Sequence, residues 1–150
     1  MWQWKAQSPS SMVTSRLTCP AGATITYEGR NSLPMFSRFR KRFTRTADGL
    51  VFGYNDQPTP GVGRLTGPGY FIVTEADEAH AGELLFDYTK PPPFEPAGWP
   101  AFRPNDRGLS RLVFMDLQDY VRQVAPGVVV GIAFKQGKDQ DACFSLTRSF

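Results

Sequence analysis

A guanidinium beside an apolar interior is costly unless an anion meets it, and two arginines of this chain are spaced to be so placed. In an extended segment, residues i and i+2 share a face. Near the end of the chain Ala142, Phe144, Leu146 and Arg148 therefore share one side, and Cys143, Ser145, Thr147 and Ser149 the other. The first set is apolar until its last member, which points Arg148 toward an interior or its rim. Arg45 has the same parity as Phe43 and is placed likewise. Two such guanidinia could hold the carboxylate of an amphipathic ligand through paired hydrogen bonds. The competing reading leaves both at strand ends, reaching into solvent along their apolar stems. Tyr27, Tyr54, Tyr70 and Tyr88, with Asp87, are candidates to present polar tips inside the same cavity.

A second chemistry lies in residues 30–45, RNSLPMFSRFRKRFTR, which hold six cations and no acid. Phe36, Phe39 and Phe43 fall at helical spacing there, which predicts a short helix from Pro34 to about Arg40 laid over an opening in the core. Alternatively, Arg38, Arg40, Lys41 and Arg42 with the interleaved phenylalanines form a surface for phosphates and stacked bases. The net charge of +3 is too small for a dedicated nucleic-acid binder. Asp119 and Arg122 stand three apart, and on a helix would form a local ion pair before Pro126.

Catalytic and cofactor signatures are sparse. His80 is the single histidine and sits in the acidic tip TEADEAHAGE, so a histidine-activated nucleophile would need that loop to reach it. There is no second histidine for a zinc site, no phosphate loop, and GVGRLTG lacks dinucleotide-motif spacing. No cofactor and no metal is therefore expected, while paired carboxylates among the 14 acids remain open. Cys19 and Cys143 lack zinc or redox spacing and are expected as free thiols.

The elements that must position these residues are mostly strands. The 150 residues, with 14 Gly, 13 Pro and 12 Phe, suit one β-rich domain. Residues 1–22 read as a partly docked arm containing Trp2 and Trp4, and residues 23–150 as a single domain. Alternation in ATITYEG predicts a strand. Lys41–Thr46 and LVFGYN form a hairpin over Ala47-Asp48-Gly49. A short strand follows at 64–66, then Tyr70–Val73, GELLFDYTK and Leu109–Met115. Residues 116–125 read as a short helix or as a continuation into the next motif. Pro126-Gly127 makes a corner from which Val128–Lys135 starts, closing with Ala142–Ser149 over the tip QGKDQD. Six prolines make 91–108 an excursion, with Phe94, Trp99 and Phe102 folding against the body as a lid or contact surface. No apolar run suits a membrane span and the start lacks a secretory pattern, so a cytoplasmic protein is expected.

The stretch DYVRQVAPGVVVG, residues 119–131, resembles the ending of small bacterial proteins with lipocalin-like, calycin-type barrels. In these an acid, an arginine and a valine precede Pro-Gly, a short apolar strand and a glycine. GELLFDY and the KRF step at 41–43 are similar to other strands of that pattern, and Arg148-Ser149-Phe150 to the Arg-x-Tyr ending of intracellular fatty-acid-binding barrels. The resemblance implies an antiparallel barrel of about eight strands with one or two short helices. Patterning and resemblance together predict a small-molecule binding protein holding an apolar or amphipathic, carboxylate-bearing ligand in its lumen. A nucleic-acid or polyanion module using residues 36–45 is the alternative, and an enzyme acting on a lipid-like or tetrapyrrole-like substrate within the barrel is the third reading.

Overall fold

From Arg38 to Arg42 every second residue is an arginine, with Phe39, Lys41 and Phe43 on the other parity, and a period of two belongs to a strand. The computed structural model describes residues 17–34 and 37–150, and in it Arg38–Arg45 is a strand throughout. The helix expected over Pro34–Arg40 is thus replaced from Arg38 onward; Met35 and Phe36 lie outside the described residues, as do Trp2 and Trp4. The strands are β1 (Ile25–Asn31), β2 (Arg38–Arg45), β3 (Val51–Asp56), β4 (Phe71–Glu75), β5 (Leu84–Asp87), β6 (Leu117–Ala125), β7 (Val128–Lys135) and β8 (Lys138–Arg148). Each pairs antiparallel with the next, and β8 returns to β1 to close an eight-stranded barrel. Closure removes every sheet edge.

Two hairpins show how local chemistry sets this order. Pro126-Gly127 turns β6 into β7, with Gly127 at φ 71°, the conformation glycine accepts without steric cost. Gln136-Gly137 turns β7 into β8 with both residues at positive φ, as a type I′ hairpin turn requires. The broad polar tip expected at 136–141 is therefore a tight turn, and β8 begins at Lys138. The shift in register between Ile132 and Phe134 absorbs the extra length.

Two other expectations change in kind. The strand expected at 64–66 is a helix, α1 (Val62–Thr66), and that at 109–115 contains a helix, α2 (Ser110–Val113). Runs this short fit either period, and here both lie in crossings between strands rather than in the sheet. Ser110 Oγ donates to Thr66 O and ties the two helices together. Residues 116–125 resolve as strand β6 from Leu117. No helix among the described residues is long and apolar enough to cross a membrane.

The interior is built from aromatic rings folded over glycines. Gly29 pairs with Phe39 across β1 and β2, Gly53 with Phe71 across β3 and β4, and Gly131 with Phe144 across β7 and β8. A Cβ on Gly29 would meet the Phe39 ring at 2.4 Å, and one on Gly131 would meet the Phe144 ring at 2.3 Å. At Gly53 it would meet the Arg42 backbone oxygen at 2.3 Å, with the Phe71 ring at 2.8 Å. Each ring thus occupies its partner's missing side chain, an arrangement that lets the sheet curve tightly while keeping the lumen filled.

The two ends differ. Leu17 and Cys19 are fully buried in the lumen at the end where β1 begins. Tyr27 OH donates to Leu17 O at 2.9 Å and Ala21 pairs with Arg45. The end of the arm therefore plugs this mouth. Both cysteines are free thiols, and burial pushes the Cys19 thiol up to about 11.

The Pro-rich excursion is a strap on the outer wall, and no lid. Trp99 and Phe102 pack on Phe52, Tyr54, Tyr70 and Ile72 of the outer faces of β3 and β4, and Trp99 Nε1 reaches Thr24 Oγ1 at 3.2 Å.

Of the three covered glycines, Gly53 faces rigid backbone where the others face a ring that can tilt. Gly53→Ala is expected to cost more stability than Gly131→Ala, which should cost about 1–3 kcal/mol. Urea unfolding of both variants checks the order.

Candidate functional site

Opposite the plug, the barrel opens into a cavity of about 420 Å³. Its walls are mostly apolar, with Phe39, Phe114, Leu117 and Phe144 among them, and Leu33 and Leu112 come from the connections at this end. Its floor is polar: Lys41 of β2, Asn55 of β3, Tyr88 just beyond β5, and Asp119 of β6. Strand parity places all four inward, because Lys41 lies between Phe39 and Phe43, and Asp119 shares a face with Val121. All four are buried, Lys41 being 3% exposed.

The four side chains form one hydrogen-bonded cluster. Lys41 Nζ donates to Asn55 Oδ1 at 2.7 Å and to the Tyr88 hydroxyl, and stands 3.7 Å from Asp119 Oδ2. Tyr88 OH donates in turn to Asp119 Oδ2 at 3.2 Å. Asn55 is anchored by its own donation to Gly69 O at 3.0 Å. Around the ammonium stand Phe39, Phe71, Phe86, Tyr88 and Phe144, their ring centroids 4.8 to 5.8 Å away. Their π faces favour a cation. Three of these rings are the ones laid over glycines, so the device that fills the barrel also builds the cage.

Burial shapes the cluster's charge. Desolvation lowers Lys41 to about 8, partly opposed by the Asp119 carboxylate. Desolvation raises Asp119 to about 6, partly opposed by Lys41. The Tyr88 hydroxyl is held well above its ordinary 10.0 by burial and then by the Asp119 charge. At neutral pH the floor is one cation and one anion, with no net charge.

The residues singled out from the sequence are placed as follows. Arg45 and Arg148 do share the inward parity, but at the plugged end. Arg45 Nε donates to Cys19 O at 2.7 Å and Arg148 donates to Thr18 O at 3.2 Å. Their partners are backbone carbonyls of the plug. Tyr27 is in the lumen at the same end, and Tyr88 lines the cavity. Tyr54 and Tyr70 are on the outer wall beneath the strap, Tyr70 donating to Pro100 O at 2.6 Å. They are not liners of the lumen, because β3 and β4 are covered on both faces. Asp87 accepts from Thr89 in the turn after β5.

On β2, Arg40 and Arg42 both pair with Asp56, at 3.1 and 2.9 Å, while Arg38 is exposed and Lys41 is buried. The four cations do not form one surface. Asp119 and Arg122 do not pair, since positions three apart on a strand face opposite ways. Arg122 instead meets Glu83 at 2.6 Å. Glu83 also takes His80 Nδ1 at 3.0 Å, and that ring stacks on Tyr120. Among the described residues, no three His, Cys, Asp or Glu side chains stand together as metal ligands.

Sequence reasoning missed Lys41 and Asp119 as lumen residues, although the signal was present. The parity that directed Arg45 inward directs Lys41 inward too. Comparison with protein-family models, with curated proteins and with solved structures found no match to this chain.

Removing one member of the pair leaves a buried charge alone. Asp119→Ala is expected to cost about 3–5 kcal/mol, and the double variant Lys41→Met/Asp119→Asn to recover most of that. The pH dependence has a definite sign. Asp119 binds its proton more tightly when folded, so its contribution falls as pH rises from 3.8 through about 6. Lys41 binds its proton less tightly when folded, so stability returns as pH climbs from about 8 toward 10.5. Urea titrations across this range should show both slopes in the native chain and neither in the double variant.

Proposed function

We propose that this chain is a small-molecule binding protein whose ligand is an apolar body with a neutral hydrogen-bonding head, a carbonyl or a hydroxyl. One observation supports the reading above others: an apolar-walled cavity of about 420 Å³ ends on a floor that pairs one buried cation with one buried anion. The volume is within the range of small-molecule sites, about 300–1,000 Å³. A few converging polar groups at the end of an apolar cavity orient a ligand, here head down with its chain toward the mouth.

The charge balance argues for a neutral head. A carboxylate at the floor would meet Asp119, and Arg45 and Arg148 are engaged at the other end. A polyanion role for β2 draws little support from a segment whose Lys41 is buried and whose Arg40 and Arg42 share Asp56. Free thiols at Cys19 and Cys143 suit a reducing compartment such as the cytoplasm.

The test is denaturing extraction of the purified protein followed by mass spectrometry, alongside a variant whose cavity is filled. Ala133 lines the cavity from β7, and Ala133→Trp places an indole in the ligand's volume. The native chain is expected to release a defined neutral small molecule, and the variant to release several-fold less while melting no lower. Equal recovery from both would place the ligand elsewhere.

A further inference from the structure

Building on that reading, we propose that Lys41 forms an imine with an aldehyde or ketone ligand, so that the barrel holds a carbonyl compound covalently and reversibly. The lysine is at the floor of the cavity, where the head group of a ligand would arrive, and its Nζ donates to the Tyr88 hydroxyl, which donates in turn to Asp119. Most buried lysines reach toward solvent with their heads. This one turns its head into the lumen, surrounded by five aromatic rings.

The chemistry balances without any other reagent. The ammonium gives a proton to Asp119 through the Tyr88 hydroxyl that bridges Nζ and Oδ2. The freed amine lone pair adds to the carbonyl carbon, the carbonyl oxygen takes that proton, and the new C–N nitrogen passes one of its own protons to the Asp119 carboxylate, giving a neutral carbinolamine. Return of a proton to that hydroxyl lets it leave as water, and a C=N bond replaces C=O. Amine and carbonyl thus become imine and water, with no change in oxidation state. The protonated imine is a cation where the ammonium was, so the rings and Asp119 stabilise it as they did its precursor.

Burial makes the amine available. With Lys41 at about 8, roughly a tenth of it is neutral at pH 7, against about three in ten thousand of an ordinary lysine. Lys90 and Lys138 are exposed and give the internal comparison.

The experiment incubates the folded protein with straight-chain aldehydes from hexanal to decanal and with sodium cyanoborohydride, which fixes an imine as a secondary amine. Peptide mapping then locates the adduct, and binding of the matched alcohols is measured by native mass spectrometry. Labelling of Lys41 at least about ten-fold above Lys90 and Lys138 is expected. This preference should vanish in urea and in Lys41→Arg. Alcohol binding with aldehyde confined to surface lysines would overturn the imine and leave the binding site standing. Failure of both alcohols and aldehydes to occupy the cavity would overturn both readings. Because the urea control uses the native sequence, the result does not depend on any variant folding.

Discussion

The structure depends on how one ammonium group is accommodated in a barrel whose core is otherwise mostly aliphatic and aromatic. Placing Lys41 in the lumen is tolerable only if its charge and its donors are met, and the partners come from three other elements. Asn55 is the last residue but one of β3, Tyr88 follows β5 and Asp119 sits near the start of β6. A one-residue slip of β2 would send Lys41 outside and bring Arg40 or Arg42 in, without Asn55 or Asp119 opposite. The cluster therefore favours one register across β2, β3, β5 and β6, which the apolar residues alone would hold less strictly. The glycine–phenylalanine pairs act in the same direction, since Phe39, Phe71 and Phe144 can lie close to the ammonium only because Gly29, Gly53 and Gly131 leave room.

The same economy explains why the two ends have different roles. Arg45 and Arg148 would be as costly as Lys41 if left in an apolar mouth, and the plug supplies carbonyl oxygens at Thr18 and Cys19 instead of carboxylates. Backbone acceptors satisfy the guanidinium donors and are held there by the plug's own burial through Leu17. The short hairpins Pro126-Gly127 and residues 46–50 lie there too, whereas the longer crossings with α1 and α2 surround the cavity.

Much of this was legible in the sequence, and the misreadings have physical causes. The Pro126-Gly127 corner, the start of β7 at Val128 and the inward set of β8 follow from turn chemistry and alternation, and all are observed. The segment RFRKRF misleads because Phe39 and Phe43 are four apart, a spacing that shares a face in a helix and in a strand alike. Only the lysine between them separates the two readings, and a lone lysine ordinarily signals the solvent side. Tyr54 and Tyr70 mislead for a different reason. Segments apolar on both faces, such as VFGYN, do not reveal which side is the lumen, and the covering for the outer side comes from residues some forty positions later in the chain. Asp119 was attached to Arg122 by a helical spacing that β6 does not have.

The strap on the outer wall also bears on the cavity, although none of its residues lines it. Tyr88 lies just past the last paired residue of β5, and its N–H donates to Leu117 O of β6 at 3.1 Å. Its carbonyl is held by the strap: Asn105 donates to Tyr88 O at 2.8 Å and to Tyr70 O at 3.2 Å. The strap is in turn anchored by Tyr70 OH on Pro100 O and by Arg103 on Arg64 O, while Trp99 is pressed between Phe52, Tyr54 and Tyr70. Six of the 13 prolines are in the strap, where fixed φ angles lower the entropy lost in ordering a segment without regular hydrogen bonds. The sheet thus takes the Tyr88 N–H and the strap takes its carbonyl, so a brace on the outside helps to position a hydroxyl on the inside.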